Sequence, residues 1–190
     1  MMVKICGITN LDDAKLALDH GASALGFIFY PGSPRFISPA DAARLSAGLN
    51  DAIWKVGVFV DARPEIVAET ARAAGLDVVQ LHGHETPAGY PALPRIWKAW
   101  RVNGSQNLDP HDPAEAWLLD GPASGQAFDW SLAAGLPKSV ILAGGLDATN
   151  VREAIERARP WGVDASSRLE SAPGKKDHAK VKAFLRAALA

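Results

Sequence analysis

The chain has 190 residues, nearly half of them hydrophobic, and a formal net charge of -1, which suits one domain with a sizeable buried core. Balanced charge offers no electrostatic basis for binding nucleic acid or an anionic membrane, and every apolar run is broken by glycine, proline or charge before it could span a bilayer. Cys6 is the only cysteine, so no internal disulfide is available. With no signal-peptide pattern ahead of the first strand, the expectation is a cytoplasmic globular protein.

Apolar, β-branched runs predict strands at Val3–Cys6, Ala24–Phe29, Lys55–Val60, Val78–Leu81, Ile96–Val102, Ala116–Asp120, Ser139–Ala143 and Gly162–Ala165. Runs such as Lys55-Val56-Gly57-Val58-Phe59-Val60 are too apolar to face water on one side and fit a parallel sheet covered by helices. Between them, Ser38-Pro39-Ala40-Asp41 reads as a helix start, with a serine cap, a proline at the first helical position and an acid three residues after the cap. Asn150–Arg159 and the last helix carry apolar stripes, the latter through Val181, Phe184, Leu185 and Ala188, which mark core-facing surfaces and nothing more. Asn103–Pro113 has two prolines and little helical pattern, so it predicts a loop in place of the helix between strands five and six. Eight strands in βα alternation point to a compact single-domain (β/α)8 barrel over residues 1–190, with a doubly wound open sheet as the alternative.

In a barrel, function collects at the C-terminal ends of the strands. Those ends hold Cys6, the loop Tyr30–Arg35, Asp61, His82, Arg101, Asp120, Gly144-Gly145, and Asp164 with Ser166-Ser167. Cys6 is either a small buried hydrophobe or, before a glycine turn at the mouth of a strand, a thiol placed to act on a ligand; a modest shift from its ordinary pKa of about 8.5 would make it a usable base. Gly144-Gly145 leads into a helix and Ser166-Ser167 follows the last strand, a pairing suited to a phosphate through backbone N–H groups and hydroxyls. Pro31-Gly32-Ser33-Pro34-Arg35 stiffens an arginine that would bind a carboxylate or form a surface ion pair. Asp120 is a turn cap or a general acid. His82-Gly83-His84 lacks the further ligands of a zinc site, and His82 is expected in the pocket wall, with no metal bound.

These segments, in this order, resemble the phosphoribosylanthranilate isomerase family of tryptophan biosynthesis. The matching stretches are Val3-Lys4-Ile5-Cys6-Gly7-Ile8-Thr9, Gly26-Phe27 through Ser33-Pro34-Arg35, Gly57-Val58-Phe59-Val60-Asp61, Val79-Gln80-Leu81-His82-Gly83, Leu119-Asp120 and Phe128-Asp129-Trp130. Leu142-Ala143-Gly144-Gly145-Leu146, Gly162-Val163-Asp164-Ala165-Ser166-Ser167 and Pro173-Gly174-Lys175-Lys176-Asp177 complete the match. The resemblance implies a cofactor-independent barrel enzyme for a small phosphoribosyl substrate, monomeric or homodimeric. It gives Asp120 the role of general acid and Cys6 that of general base. Arg35 would hold the anthranilate carboxylate, Asp164 the polar middle of the substrate, and Gly144, Gly145, Ser166 and Ser167 the phosphate. Two departures stand out. Arg168 occupies a position where the family usually has glycine, and Gly121–Gln126 is shorter and less glycine-rich than the usual loop. Other phosphosugar barrel enzymes and a non-catalytic phosphoribosyl-binding relative are the competing readings.

Overall fold

The computed structural model describes residues 1–190 apart from 50–51, 91–92, 94, 103–107 and 124. Eight parallel strands close into a barrel in sequence order: β1 Met2–Cys6, β2 Ala24–Ile28, β3 Trp54–Phe59, β4 Val78–Leu81, β5 Ile96–Arg101, β6 Ala116–Asp120, β7 Ser139–Leu142 and β8 Gly162–Ala165. Closure comes from β1 pairing with β8, Val3 opposite Val163 and Ile5 opposite Ala165. The open-sheet alternative therefore falls away.

The period-two alternation of a strand divides each run between two cores. Met2, Ala24, Val56, Val78, Trp97, Ala116, Leu118 and Ile141 fill the barrel, with Trp54 and Trp161 packed against Trp97 at ring distances of 5.9 and 5.8 Å. Val3, Ile5, Leu25, Phe27, Val79, Trp117, Leu119 and Val163 face outward into the helices. Both faces are buried, which is why the strands read as nearly continuous apolar runs.

The helices are α1 Leu11–Asp19, α2 Pro39–Ala47, α3 Pro64–Ala74, α4 Val151–Ala158 and α5 His178–Leu189. Ser38 caps α2 as its sequence predicts, its Oγ accepting from Asp41 N at 3.1 Å, with Pro39 at the first helical position. Val181, Phe184, Leu185 and Ala188 are the buried face of α5. The sequence predicts one helix lost, between β5 and β6; part of that loop, 103–107, lies outside the described residues, and the rest contains no helix. The structure differs by losing two more: single 3-10 turns at Pro87–Gly89 and Trp130–Ala133 replace helices after β4 and β6. A short antiparallel hairpin, β9 Glu170–Ala172 with β10 Lys175–Lys176, also follows β8. Among the described residues no helix is long and apolar enough to cross a membrane.

Candidate active site

The inward parity that fills the barrel floor with apolar side chains delivers polar ones at its C-terminal mouth. Cys6, Gln80, His82, Asp120, Asp164 and Ser166 sit at inward positions near the ends of β1, β4, β6 and β8. A cavity of about 260 Å³ there is lined by Cys6, Tyr30, Arg35, Gln80, His82, Arg101, Asp120, Gly144, Gly145, Asp164, Ser166, Ser167 and Arg168, among others. It thus gathers every residue assigned a catalytic or binding role from the sequence. Of the rim residues named earlier, Asp61 is the exception. It opens instead on a neighbouring cavity beside β4 and β5, where its carboxylate accepts from His84 N at 2.6 Å.

Cys6 is 6% exposed, and Gly26 opposite it is what makes room: a Cβ there would stand 2.6 Å from the Cys6 Sγ and 3.1 Å from Lys4 Cε. Two residues below, Lys4 is fully buried with its ammonium 3.0 Å from Asp164 Oδ1. Burial opposes the Lys4 charge, but Asp164 and Cys6 outweigh it and hold its pKa above the ordinary lysine value. For Cys6 the balance runs the other way. Burial pushes the thiol up, and the attraction of Lys4 and Lys176 does not cancel it. The modest shift that would make the thiol a readier base is not in place without substrate: burial holds Cys6 protonated more firmly than a free thiol.

Asp120 ends β6 and performs the turn-cap role, its Oδ1 accepting from Gly121 N at 2.9 Å. Its other oxygen lies 3.3 Å from His82 Nε2, and the His82 Nδ1 is 2.8 Å from the buried Gln80 amide nitrogen. His82 is thus a wall residue aimed at the carboxylate. His84 is 97% exposed at its side chain and bonded to Asp61, so the two imidazoles diverge and do not share a ligand.

Arg35 enters the cavity from the loop after β2, and its guanidinium is already engaged: Nε lies 2.8 Å from Glu170 Oε1, and Nη2 2.7 Å from Oε2. The pair is largely buried, so the surface-ion-pair reading is also wrong. Glu170 in turn accepts from Lys176 Nζ at 2.9 Å. Burial would raise the Glu170 carboxyl, but Arg35 and Lys176 together keep it below the usual carboxylate range. Two cations share one anion here, leaving one net positive charge beside the mouth. Lys4, Gln80, Glu170 and Lys176 are not among the residues the sequence singles out. The available signal was a polar residue at inward parity within an apolar strand, which Lys4 and Gln80 both satisfy.

The glycine pair after β7 is held open from below. Asn150, at the start of α4, sends its Nδ2 back to Gly145 O at 2.8 Å while its Oδ1 accepts from Asp147 N at 2.9 Å. Gly144 and Gly145 both have positive φ, 81° and 65°. Ser166 Oγ donates to Cys6 O at 3.0 Å, tying the end of β8 to β1. The turns after β7 and β8 therefore occupy the arc between Asp120 on β6 and Cys6 on β1.

This architecture has many relatives. The protein-family model described as N-(5'phosphoribosyl)anthranilate (PRA) isomerase matches residues 3–187. The N-(5'-phosphoribosyl)anthranilate isomerase of Solibacter usitatus is 52% identical over an alignment covering 100% of this chain and 98% of the relative. Among solved structures, the phosphoribosyl anthranilate isomerase of Thermus thermophilus superposes with a TM-score of 0.92 at 40% identity, covering 100% of this chain and 98% of that one. A second, with TM-score 0.86 and 40% identity over the same shares, is a phosphoribosyl anthranilate isomerase in complex with reduced 1-(o-carboxyphenylamino)-1-deoxyribulose 5-phosphate. Full-length identity of this order, joined to a family-model match over residues 3–187 and a superposition at TM-score 0.92, means that the chain belongs to the phosphoribosylanthranilate isomerase family.

Proposed function

We propose that this chain catalyses the Amadori rearrangement of N-(5-phosphoribosyl)anthranilate to 1-(2-carboxyphenylamino)-1-deoxyribulose 5-phosphate in tryptophan biosynthesis. The observation that carries this reading is the angular order around the barrel mouth: Asp120 on β6, the Gly144-Gly145 and Ser166-Ser167 turns on β7 and β8, Cys6 on β1, and Arg35 after β2. A substrate with phosphate at one end and carboxylate at the other fits that arc with its sugar carbons between the acid and the thiol.

Asp120, protonated, gives its proton to the ribose ring oxygen as the C1–O bond breaks, leaving a C1 iminium. The iminium acidifies C2–H, and the Cys6 thiolate takes that proton, its electrons forming the C1=C2 bond of an enolamine. Return of a proton to C1 and loss of the C2 hydroxyl proton give the ketone. The change is an internal oxidoreduction, C1 reduced and C2 oxidised, that needs no cofactor. The buried thiol must lose its proton against desolvation, and the ammonium groups of Lys4 and Lys176 supply the opposing attraction. The positive charge of the iminium adds to it once the ring has opened. Arg35, oriented by Glu170, would present its remaining N–H groups to the anthranilate carboxylate. Asp164, bonded to Lys4, would reach the sugar hydroxyls.

The test is direct. Purified protein is added to phosphoribosylanthranilate generated in situ from anthranilate, and loss of substrate fluorescence is followed. Turnover to the ketose phosphate supports the reading. Binding of the reduced product analogue with no turnover would favour a non-catalytic phosphoribosyl-binding relative, and isomerisation of a different phosphosugar would favour a sister enzyme.

A further inference from the structure

Arg168 is a cation at the phosphate turns for which the acid–base chemistry has no use. It follows Ser167 directly, in the 3-10 turn Ser167–Leu169, and its side chain lines the same cavity as Gly144, Gly145, Ser166 and Ser167. Its backbone is unstrained, since Asp61 and Arg159 are the non-glycine residues with positive φ among those described. Its guanidinium bends toward the loop after β6: Nε lies 3.3 Å from Gly125 O, and Nη1 lies 3.1 Å from Asp147 Oδ2.

The Gly125 carbonyl locates the guanidinium. A Cβ on Gly145 would stand 2.6 Å from that oxygen, and a Cβ on Gly144 would stand 2.3 Å from Gly121 N. The loop after β6 therefore rests directly on the Gly144-Gly145 turn, with only glycines allowing the contact. Arg168 reaches across this junction, at the edge of the cup. Its Nη2 has no hydrogen-bond partner among the described residues. Of the cations near the cavity, Lys4 is paired with Asp164, and Arg35 and Lys176 with Glu170. Asp147, whose Oδ1 is taken by Thr149, is the single carboxylate on Arg168, and the Arg168 side chain is half exposed. A half-exposed pair of this kind is weak, so turning the fork from one carboxylate oxygen toward a phosphate dianion costs little.

We infer that Arg168 is a phosphate ligand, a charged addition to the main-chain cup that sets this chain's preference for a phosphorylated over an unphosphorylated sugar. The inference rests on the proposed function only for the identity of the sugar; the anion itself is read from the cup.

The experiment measures binding by calorimetry for the wild type, Arg168→Ala and Arg168→Lys. The probes are inorganic phosphate, reduced 1-(o-carboxyphenylamino)-1-deoxyribulose 5-phosphate and the dephosphorylated form of that analogue. Arg168→Ala should weaken the two phosphate-bearing probes by on the order of tenfold, the loss of one charge-assisted contact, and leave the dephosphorylated analogue within about twofold. Arg168→Lys should fall between, keeping a point charge and losing the fork. Equal weakening of both analogues would overturn the inference and make Arg168 a clasp for the loop after β6. Unchanged affinity for every probe would overturn it too. Should the wild type fail to turn over phosphoribosylanthranilate while phosphate binding still depends on Arg168, the activity falls and the phosphate ligand stands.

Discussion

Replacing Asp120 by asparagine separates the shape of the proposed acid from its proton. Asparagine can keep Oδ1 as acceptor for Gly121 N, the 2.9 Å bond that turns the chain after β6. That orientation points its amide nitrogen at His82 Nε2, which faces Asp120 Oδ2 at 3.3 Å. His82 can accept there if its proton moves to Nδ1, and Gln80 can follow, because its buried Oε1 has no partner and turning the amide would offer it to Nδ1–H. The substitution is thus absorbed by one tautomer shift and one amide turn, and the stability cost should stay within about 1 kcal/mol, a fall in Tm of about 2–4 °C. Chemistry has no such escape, since an amide cannot deliver a proton to the ring oxygen. Loss of a positioned acid should lower kcat by at least about 10²-fold, or about 2.7 kcal/mol of barrier, while the reduced product analogue still binds. The assay is the fluorescence decay of phosphoribosylanthranilate, followed for wild type and variant under the same conditions. A substrate analogue already opened to the imine should recover much of the rate. Native kcat in Asp120→Asn, or an opened analogue no better than the closed substrate, would refute the reasoning.

Cys6→Ala should lose several orders of magnitude in turnover with fold and analogue binding intact, and a near-native kcat would return the thiol to a packing role. Because burial pushes the Cys6 thiol up, the rising limb of kcat/KM in the wild type should lie above the ordinary thiol range of about 8.5; a limb well below it would show that Cys6 is not the titrating base. Arg35→Ala should raise KM more than it lowers kcat, and an unchanged KM would reject the carboxylate contact. Glu170→Gln leaves Lys176 buried without its partner and should cost about 3–5 kcal/mol near neutrality by urea unfolding. The folded Glu170 pKa lies below the unfolded value of about 4.3, so the contribution is present above that value and is lost as pH falls through the folded one. A gap between wild type and Glu170→Gln as large at about pH 3 as at about pH 7 would contradict this linkage.

The strands were legible because a parallel sheet buried on both faces demands unbroken apolar runs, and few other structures do. The rim was legible because Cys6, Arg35, Asp120 and the Gly and Ser pairs each follow such a run. What was hidden depends on long-range contact. Glu170 and Lys176 lie on a hairpin too short for a strand pattern, and their meaning appears only where they meet Arg35, 135 residues away from Glu170 in sequence. The thiol's raised pKa is a sum of burial and the nearby Asp164 carboxylate against two ammonium groups, and spacing along a chain carries no such sum. The two extra lost helices had a local signal. Pro87, Pro91 and Pro94 crowd the segment after β4, and Gly121-Pro122 opens the one after β6.

The distribution of those helices divides the barrel mechanically. Strands β7, β8, β1, β2 and β3 are each followed by a full α-helix, whereas among the described residues β4, β5 and β6 are followed only by turns and loop. Less apolar surface is packed outside that arc, so its amides should exchange with solvent through the smallest openings in the molecule. The thiol and the Gly144-Gly145 and Ser166-Ser167 turns are mounted on the firmly backed arc; His82 and Asp120 stand at the ends of strands on the compliant one. The sugar would be anchored, and its C2 proton removed, against a stiff wall. Its ring would open toward the wall that can yield, where the leaving oxygen must travel.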